Sequence, residues 1–346
     1  MPAVNLLKFG VSSPADVSPL EDLRRAGYES SQVLGLVGKT EGNGCVNDFS
    51  RTLSSVVWER LLPAEAVTVF SGGTEGVLSP HVTFFVKEAG DATTGLVATV
   101  ARTRNLRPEE VGTAEHARQV RDTVRSMVQE LGVSQDHIHL VLIKCPLLTS
   151  AKIEAIRAAE GTPITTDTYE SMAKSRYASA VGIACALGEM EDNSLETAVA
   201  ASSPEEQLWS AKASCSSGAE LEDCHILVLA SASSPGDSGS LRAVSAYMAD
   251  AIDARAVLGL LDQAKADGGE PVQVFAKAEA DPRGRVRGNR HTMTTDSDIH
   301  STRHARAAVG GLIAGLMGDT QVYVSGGAEG QGPVGGGSLC LVYRCP

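Results

Sequence analysis

Three serines in this chain stand in the same short pattern: Ser, a small residue, Gly, a small residue, Glu. They open Ser71-Gly72-Gly73-Thr74-Glu75, Ser216-Ser217-Gly218-Ala219-Glu220 and Ser325-Gly326-Gly327-Ala328-Glu329. Ser71 and Ser325 each follow an apolar alternation that reads as a strand, so the hydroxyl falls where the strand ends and the backbone turns sharply. Such a turn presents a hydroxyl and free N–H groups together. One glycine-rich turn is ordinary. Three are not, because two further landmarks recur in order ahead of each serine: a lysine closing an apolar run (Lys39, Lys144, Lys277) and an arginine near a helix start (Arg51, Arg176, Arg303).

A lysine at a strand end usually reaches solvent, since lysine is rarely buried unless paired. Three in register point instead to convergence on one axis, with three Lys, three Arg and three Ser around a shared site. Neighbouring cations and burial push a lysine toward its neutral amine. A neutral lysine can take the proton of a serine hydroxyl, while turn N–H groups and the arginines stabilise negative charge developing on an attacked carbonyl. Ser-Lys is a variant of the nucleophile-base pair, and this chemistry needs no metal.

The elements that must position these residues also repeat. The first stretch reads as a polar lead-in, a helix over 19–26 and a strand over 32–37 that delivers Lys39. A helix follows, capped by Asp48 or Ser50, with Leu53, Val56, Val57 and Leu61 as its apolar face; then come the serine strand and a closing strand over 81–86. The second stretch reads as a helix over 109–131 with Val120, Val124, Met127 and Val128 on one face, a strand over 139–143 delivering Lys144, a helix over 177–187 opened by Arg176, the Ser216 segment and a strand over 225–230. A small-polar loop, Ser231 to Ser240, precedes one or two helices in 241–266. A strand over 272–276 then delivers Lys277, Arg303 opens a helix over 305–317, and Ser325 and a strand over 338–343 follow. The expectation is an α/β protein of three similar units, at 1–105, 106–238 and 239–346, around a pseudo-threefold axis.

Composition narrows the function class. The 346 residues carry a net charge of -12 with no long basic block, which argues against a nucleic-acid or membrane-surface partner. No apolar run approaches membrane-spanning length, and the N-terminal residues lack a signal-peptide pattern. Seven scattered cysteines, without a Cys-x-x-Cys pair or zinc spacing, read as thiols in a reducing cytoplasm. The histidines show no metalloprotease spacing, and Gly38-Lys39-Thr40 has no glycine run before it to make a phosphate loop.

With these residues in place, the chain resembles the cyanuric acid hydrolase/barbiturase family along nearly its whole length. The likeness is carried by Gly38-Lys39-Thr40-Glu41-Gly42-Asn43-Gly44, Val46-Asn47-Asp48-Phe49-Ser50-Arg51, the Ser71 and Ser325 turns, Ile143-Lys144-Cys145-Pro146-Leu147-Leu148-Thr149, Asp167-Thr168-Tyr169 and Ala276-Lys277-Ala278-Glu279-Ala280. The resemblance implies three α/β units in a Toblerone-like fold, a cyclic imide substrate bound at the centre, and hydrolytic ring opening of cyanuric acid to carboxybiuret and then biuret. It implies Ser216 and Lys144 as the catalytic pair. Ser71 with Lys39 and Ser325 with Lys277 would hold the remaining carbonyls, together with Gly72, Ser217, Gly326, Arg51, Arg176 and Arg303. It further implies a structural Mg²⁺ or Ca²⁺ at Glu279, Ala328, Gln331, Pro333 and Gly336, although the loop departs from the family's usual pattern at Gly330 and Ser338. A homotetramer is also implied. Barbiturate hydrolysis, or a non-catalytic module that binds cyclic imides, are the alternatives.

Overall fold

The computed structural model describes residues 2–92, 94–201, 203–232 and 240–346. The first set of elements is β1 (Pro2–Gly10), α1 (Pro19–Arg25), β2 (Val33–Thr40), α2 (Phe49–Glu59), β3 (Val67–Gly72) and β4 (His81–Asp91). The second is β5 (Leu96–Arg102), α3 (Ala114–Leu131), β6 (Ile138–Pro146), α4 (Ser150–Ala158), α5 (Thr168–Ala186), α6 (Leu195–Val199), β7 (Ala213–Gly218) and β8 (His225–Ser231). The third is β9 (Leu241–Met248), α7 (Ala254–Ala266), β10 (Glu270–Ala278), the short pair β11 (Arg285–Val286) and β12 (Asn289–Arg290), α8 (Ser301–Met317), β13 (Tyr323–Gly326) and β14 (Gly337–Arg344).

Each set builds the same four-stranded sheet. The strand orders are β3-β2-β4-β1, β7-β6-β8-β5 and β13-β10-β14-β9, with the lysine strand parallel to the serine strand and antiparallel to the closing strand every time. The first two sheets join into one of eight strands through the single β1–β5 pairing of Ala3 with Val97. The leading strand of each sheet departs from the sequence expectation: β1 replaces a polar lead-in, and β9 occupies the start of a stretch expected to be helical. β5 pairs along its length with β8, so topology puts it with the second sheet, although the expected division at 105/106 falls after it. Residues 233–239 of the expected boundary loop, and with them the division at 238/239, lie outside the described residues.

Strand alternation sends one face of each sheet inward and one outward. The inward faces meet in one central core, where Val37, Val69 and Phe85 of the first sheet pack with Leu142 and Leu227 of the second and Phe275, Tyr323 and Val342 of the third. The outward faces are covered by helices in separate cores, as with Val120, Val124, Met127 and Val128 of α3, all buried as expected. Because residues two apart on a strand share a face, Lys39 follows Val37 inward, Lys144 follows Leu142 and Lys277 follows Phe275.

Two helices differ from expectation in ways that matter to the site. α5 begins at an Asp167 cap, whose carboxylate accepts from the N–H groups of Tyr169 and Glu170, so Arg176 lies in mid-helix rather than opening it. α2 is capped by Asp48 and is turned over: Arg51, Ser54, Ser55 and Trp58 face inward, while Leu53, Val56 and Leu61 are exposed along with Phe49. Trp58 fixes that orientation by edge-on packing against Phe84, with ring centroids 5.6 Å apart. Two turns toward the N-terminus, the same face carries Arg51.

Candidate active site

Parallel pairing sets the lysine beside the serine in all three sheets. Lys39 is the register partner of Ser71, Lys144 of Ser216 and Lys277 of Ser325. The strand pairs then close a ring, with β3 against β6, β7 against β10 and β13 against β2. Ser71, Ser216 and Ser325 reach one small cavity, and Gly72, Ser217 and Gly326 lie beside them. Arg51, Arg176 and Arg306 wall the cavity, and Met172 supplies an apolar side. The lysines sit beneath the serines, all three at most 1% exposed.

Arg303 is not in the cavity. Its side chain is 36% exposed and reaches only the edge of Glu75, at 3.4 Å. The inward position belongs to Arg306, which falls in step with the buried Val309, Gly310 and Ile313 of α8. That helical register was the available signal for choosing between the two.

The lysines divide into two kinds. Lys39 Nζ donates to Ser71 Oγ at 3.1 Å, and Lys277 Nζ to Ser325 Oγ at 3.0 Å and to the Cys215 carbonyl at 2.7 Å. Ser71 Oγ in turn donates to Ser325 Oγ at 3.2 Å. Lys144 Nζ instead donates to the Phe70 carbonyl and pairs with Glu220 Oε1 at 3.2 Å. Ser216 Oγ makes only a long contact to the Ile143 carbonyl, at 3.4 Å. Burial pushes all three amines down: Lys39 well below the ordinary lysine range, with Arg306 adding to the effect; Lys144 to about 8, opposed by Glu220; and Lys277 to about 7, helped by Arg176. Neutral amines beside serine hydroxyls are therefore accessible near neutral pH.

The glutamates that end the serine pattern tie the units together. Glu75 takes a two-pronged bond from Arg306, at 2.8 and 2.6 Å, and Glu329 takes one from Arg176, at 2.8 and 2.7 Å. Burial favours protonation of both, but the facing guanidinium holds each below the usual glutamate range. Tyr323, two residues ahead of Ser325 and fully buried, brings its ring under Lys39, whose Nζ lies 5.7 Å from the ring centroid. Burial pushes its phenol up, with the nearby Ser71, Ser216 and Ser325 hydroxyls acting the other way. Neither the glutamate pairing nor Tyr323 was singled out from sequence, although each Glu stood in the repeated pattern.

The loop expected to hold a metal lies beside this centre. Glu279 is half-buried and, among the described residues, takes one hydrogen bond, from Gly335 N at 3.2 Å; desolvation together with Glu329 pushes it up to about 7. The Gln331 side chain is committed, accepting from Cys215 N and donating to the Gly327 and Glu329 carbonyls, so it offers a cation only its main-chain oxygen. Among the described residues no cluster of three or more His, Cys, Asp or Glu could hold a metal. A half-buried carboxylate with one hydrogen bond, beside the main-chain oxygens of Ala328, Gln331, Pro333 and Gly336, is a hard-oxygen set and fits Mg²⁺ or Ca²⁺. At the two departures from the family pattern, Gly330 sits at φ +66° against the Tyr177 ring, and Ser338 Oγ donates to the Ala213 carbonyl at 2.5 Å. No helix among the described residues is long and apolar enough to cross a membrane.

Comparison with known proteins agrees with this geometry. The model of the family described as "Amidohydrolase ring-opening protein" matches residues 5–344. A cyanuric acid amidohydrolase of a Sarocladium species is 65% identical over 99% of both chains, and one from Pseudonocardia dioxanivorans is 56% identical over 99% of both. The crystal structure of a cyanuric acid hydrolase from A. caulinodans superposes with a TM-score of 0.92 at 42% identity, covering 100% of this chain and 99% of that one. A second solved cyanuric acid hydrolase, described as an innovation by structural concatenation, gives 0.91 at 41% identity over 100% of both chains. The chain therefore belongs to the cyanuric acid hydrolase/barbiturase family of ring-opening amidohydrolases, and by that membership it is a cyclic amide hydrolase.

Proposed function

We propose that this enzyme opens the ring of cyanuric acid, and the observation that carries the reading is the threefold cavity itself. Three serines and three arginines surround one space, and cyanurate presents three equivalent carbonyls in one plane. Ser71 and Ser325, each bonded to its lysine, hold two carbonyls, with Arg51, Arg176 and Arg306 as charged donors. Ser216 is the nucleophile and Lys144 its base. The pair is favoured because Ser216 stands outside the Ser71–Ser325 hydrogen bond and because Lys144 alone has a carboxylate partner.

In this mechanism the neutral amine of Lys144 takes the Ser216 hydroxyl proton as Oγ bonds to the ring carbonyl carbon, whose π pair moves to oxygen. Turn N–H groups and the arginines stabilise that oxyanion. Collapse breaks the ring C–N bond, and the leaving nitrogen takes the proton back from Lys144. Water, deprotonated by the same amine, then cleaves the acyl-enzyme to release carboxybiuret, which loses carbon dioxide to leave biuret. Glu279 and the main-chain oxygens of Ala328, Gln331, Pro333 and Gly336 would hold a cation, which would supply charge neutralisation and loop rigidity away from the reacting bond. Chelation should therefore lower thermal stability, with activity lost only as unfolding follows. Activity lost at unchanged stability would oppose that structural role.

The apolar residues that α2 turns outward, Phe49, Leu53 and Val56, give self-association a surface, and we place the enzyme as a cytoplasmic homotetramer, testable by sedimentation. The test of substrate is turnover of cyanurate and barbiturate side by side. Cyanurate should lead by roughly tenfold or more in kcat/KM, since barbiturate replaces an N–H with a CH₂ and leaves a polar contact unmade. Preference for barbiturate, or turnover of neither, would overturn the reading.

A further inference from the structure

The pseudo-threefold site is broken at one glutamate. Arg306 of the third unit grips Glu75 of the first, and Arg176 of the second grips Glu329 of the third. The pair that would close the ring, Arg51 of the first unit with Glu220 of the second, is not made. Arg51 gives its Nη atoms to the Gly44 and Cys45 carbonyls, at 3.3 and 2.6 Å, and its Nε has no hydrogen-bond partner among the described residues. Glu220 turns to Lys144 instead.

The backbone explains why. Gly73 and Gly327, third in their turns, adopt φ of +100° and +77°, which lets Arg306 and Arg176 pack directly against them. Gly218 holds the same place in the second unit but is outside the left-handed region, and a Cβ there would meet the Glu220 carboxylate at 2.3 Å. The turn thus folds its own glutamate back over the strand. Both side chains of the resulting ion pair are nearly inaccessible, at 2% for Lys144 and 6% for Glu220.

We infer that Glu220 is a positioning residue that completes a Ser216–Lys144–Glu220 relay, orienting the Lys144 amine and stabilising the ammonium formed when it takes the serine proton. The inference rests on Ser216 and Lys144 being the reacting pair. A base held by a third group is the general logic of activated nucleophiles. A carboxylate 3.2 Å from the nitrogen favours the ammonium most at the moment the proton arrives. The charged groups acting on Lys144 are Glu220 in the turn after β7 and Arg51 and Asp48 from α2 and its cap, with the Phe70 carbonyl of β3 as a neutral acceptor. Of these, only Glu220 forms an ion pair with it.

The test compares Glu220→Gln, Glu220→Asp and Ser216→Ala with the parent enzyme, each checked for folding by thermal melting. Glu220→Gln keeps the shape and removes the charge. It should lower plateau kcat/KM by about 100-fold and move the acid limb of the pH profile down by about one unit or more, because the amine loses its anionic neighbour. Glu220→Asp should fall between the two in rate with its limb near the parent position. If Glu220→Gln left the limb unmoved and the rate within about twofold, or if Glu220→Asp shifted the limb as far as Gln, the proposal would be overturned. Ser216→Ala separates the two levels. Inactive Ser216→Ala with an unaltered Glu220→Gln would defeat this inference alone, whereas active Ser216→Ala would defeat the assignment of the reacting pair and this inference with it.

Discussion

Arg306 and Arg303 lie one helical turn apart on α8, and replacing each with alanine tests the site geometry sharply. Arg306 is 3% exposed at its side chain and gives Glu75 two bonds, at 2.8 and 2.6 Å, plus one of 2.9 Å to the Asn43 carbonyl. Removing it strands a carboxylate that is itself only 13% exposed. Breaking one side of such a buried pair costs about 3–5 kcal/mol of stability. Loss of a charged donor from the cavity should cost a further ~10²–10³ in turnover. Arg303→Ala removes a single 3.4 Å contact from a side chain 36% exposed, worth about 0–1 kcal/mol, and should leave turnover almost intact. The stability and activity effects are separated by the double variant Arg306→Met with Glu75→Gln, which removes the orphaned charge. Chemical denaturation should show most of the stability restored, while cyanurate turnover stays low. The reasoning fails if Arg303→Ala costs as much activity as Arg306→Ala, or if the double variant recovers turnover.

Three other outcomes follow from the same structure. Trp58→Ala should lose about 3–5 kcal/mol in denaturant unfolding, since Trp58 is 1% exposed and anchors α2; a much smaller loss would mean that something else orients Arg51. Turnover should rise through an acid limb near pH 8, because Lys144 must be neutral to accept a proton and its amine is pushed down to about 8, so acidification removes the base; a flat profile across that range would exclude it. Gly73→Ala should lose far more activity than Gly90→Ala, measured as kcat/KM. Both sit at positive φ, but a Cβ at Gly73 meets Arg306 Nε at 2.5 Å, whereas Gly90 has open space. Equal losses would show that backbone strain alone decides.

The lysine and serine strands were readable because an apolar run ending in a charged or hydroxyl residue is a strong one-dimensional signal, and its repetition gave the threefold plan. The leading strands β1, β5 and β9 were not. Each pairs with the closing strand of its sheet, and none carries a repeated motif: β1 mixes Asn5 and Lys8 with its apolar residues, and β9 alternates only over its first four residues before a half-buried run and the exposed Tyr247. α2 was read with the wrong face inward because hydrophobicity alone favours Leu53 and Val56, whereas Arg51 and Trp58 are held inside by the cavity and by Phe84. The Arg303 choice failed for a related reason, since proximity to a helix start says nothing about which way an arginine points. Glu220's pairing with Lys144 depends on the φ of Gly218, which one-letter patterns do not carry.

The most direct test of the account is to quench the enzyme during turnover of ring-labelled cyanurate and map the modified residue by peptide mass spectrometry. The acyl group should be found on Ser216, with Ser71 and Ser325 unmodified, and it should be absent from Lys144→Ala. An acyl group on Ser71 or Ser325, with Ser216 untouched, would contradict the assignment of the reacting pair.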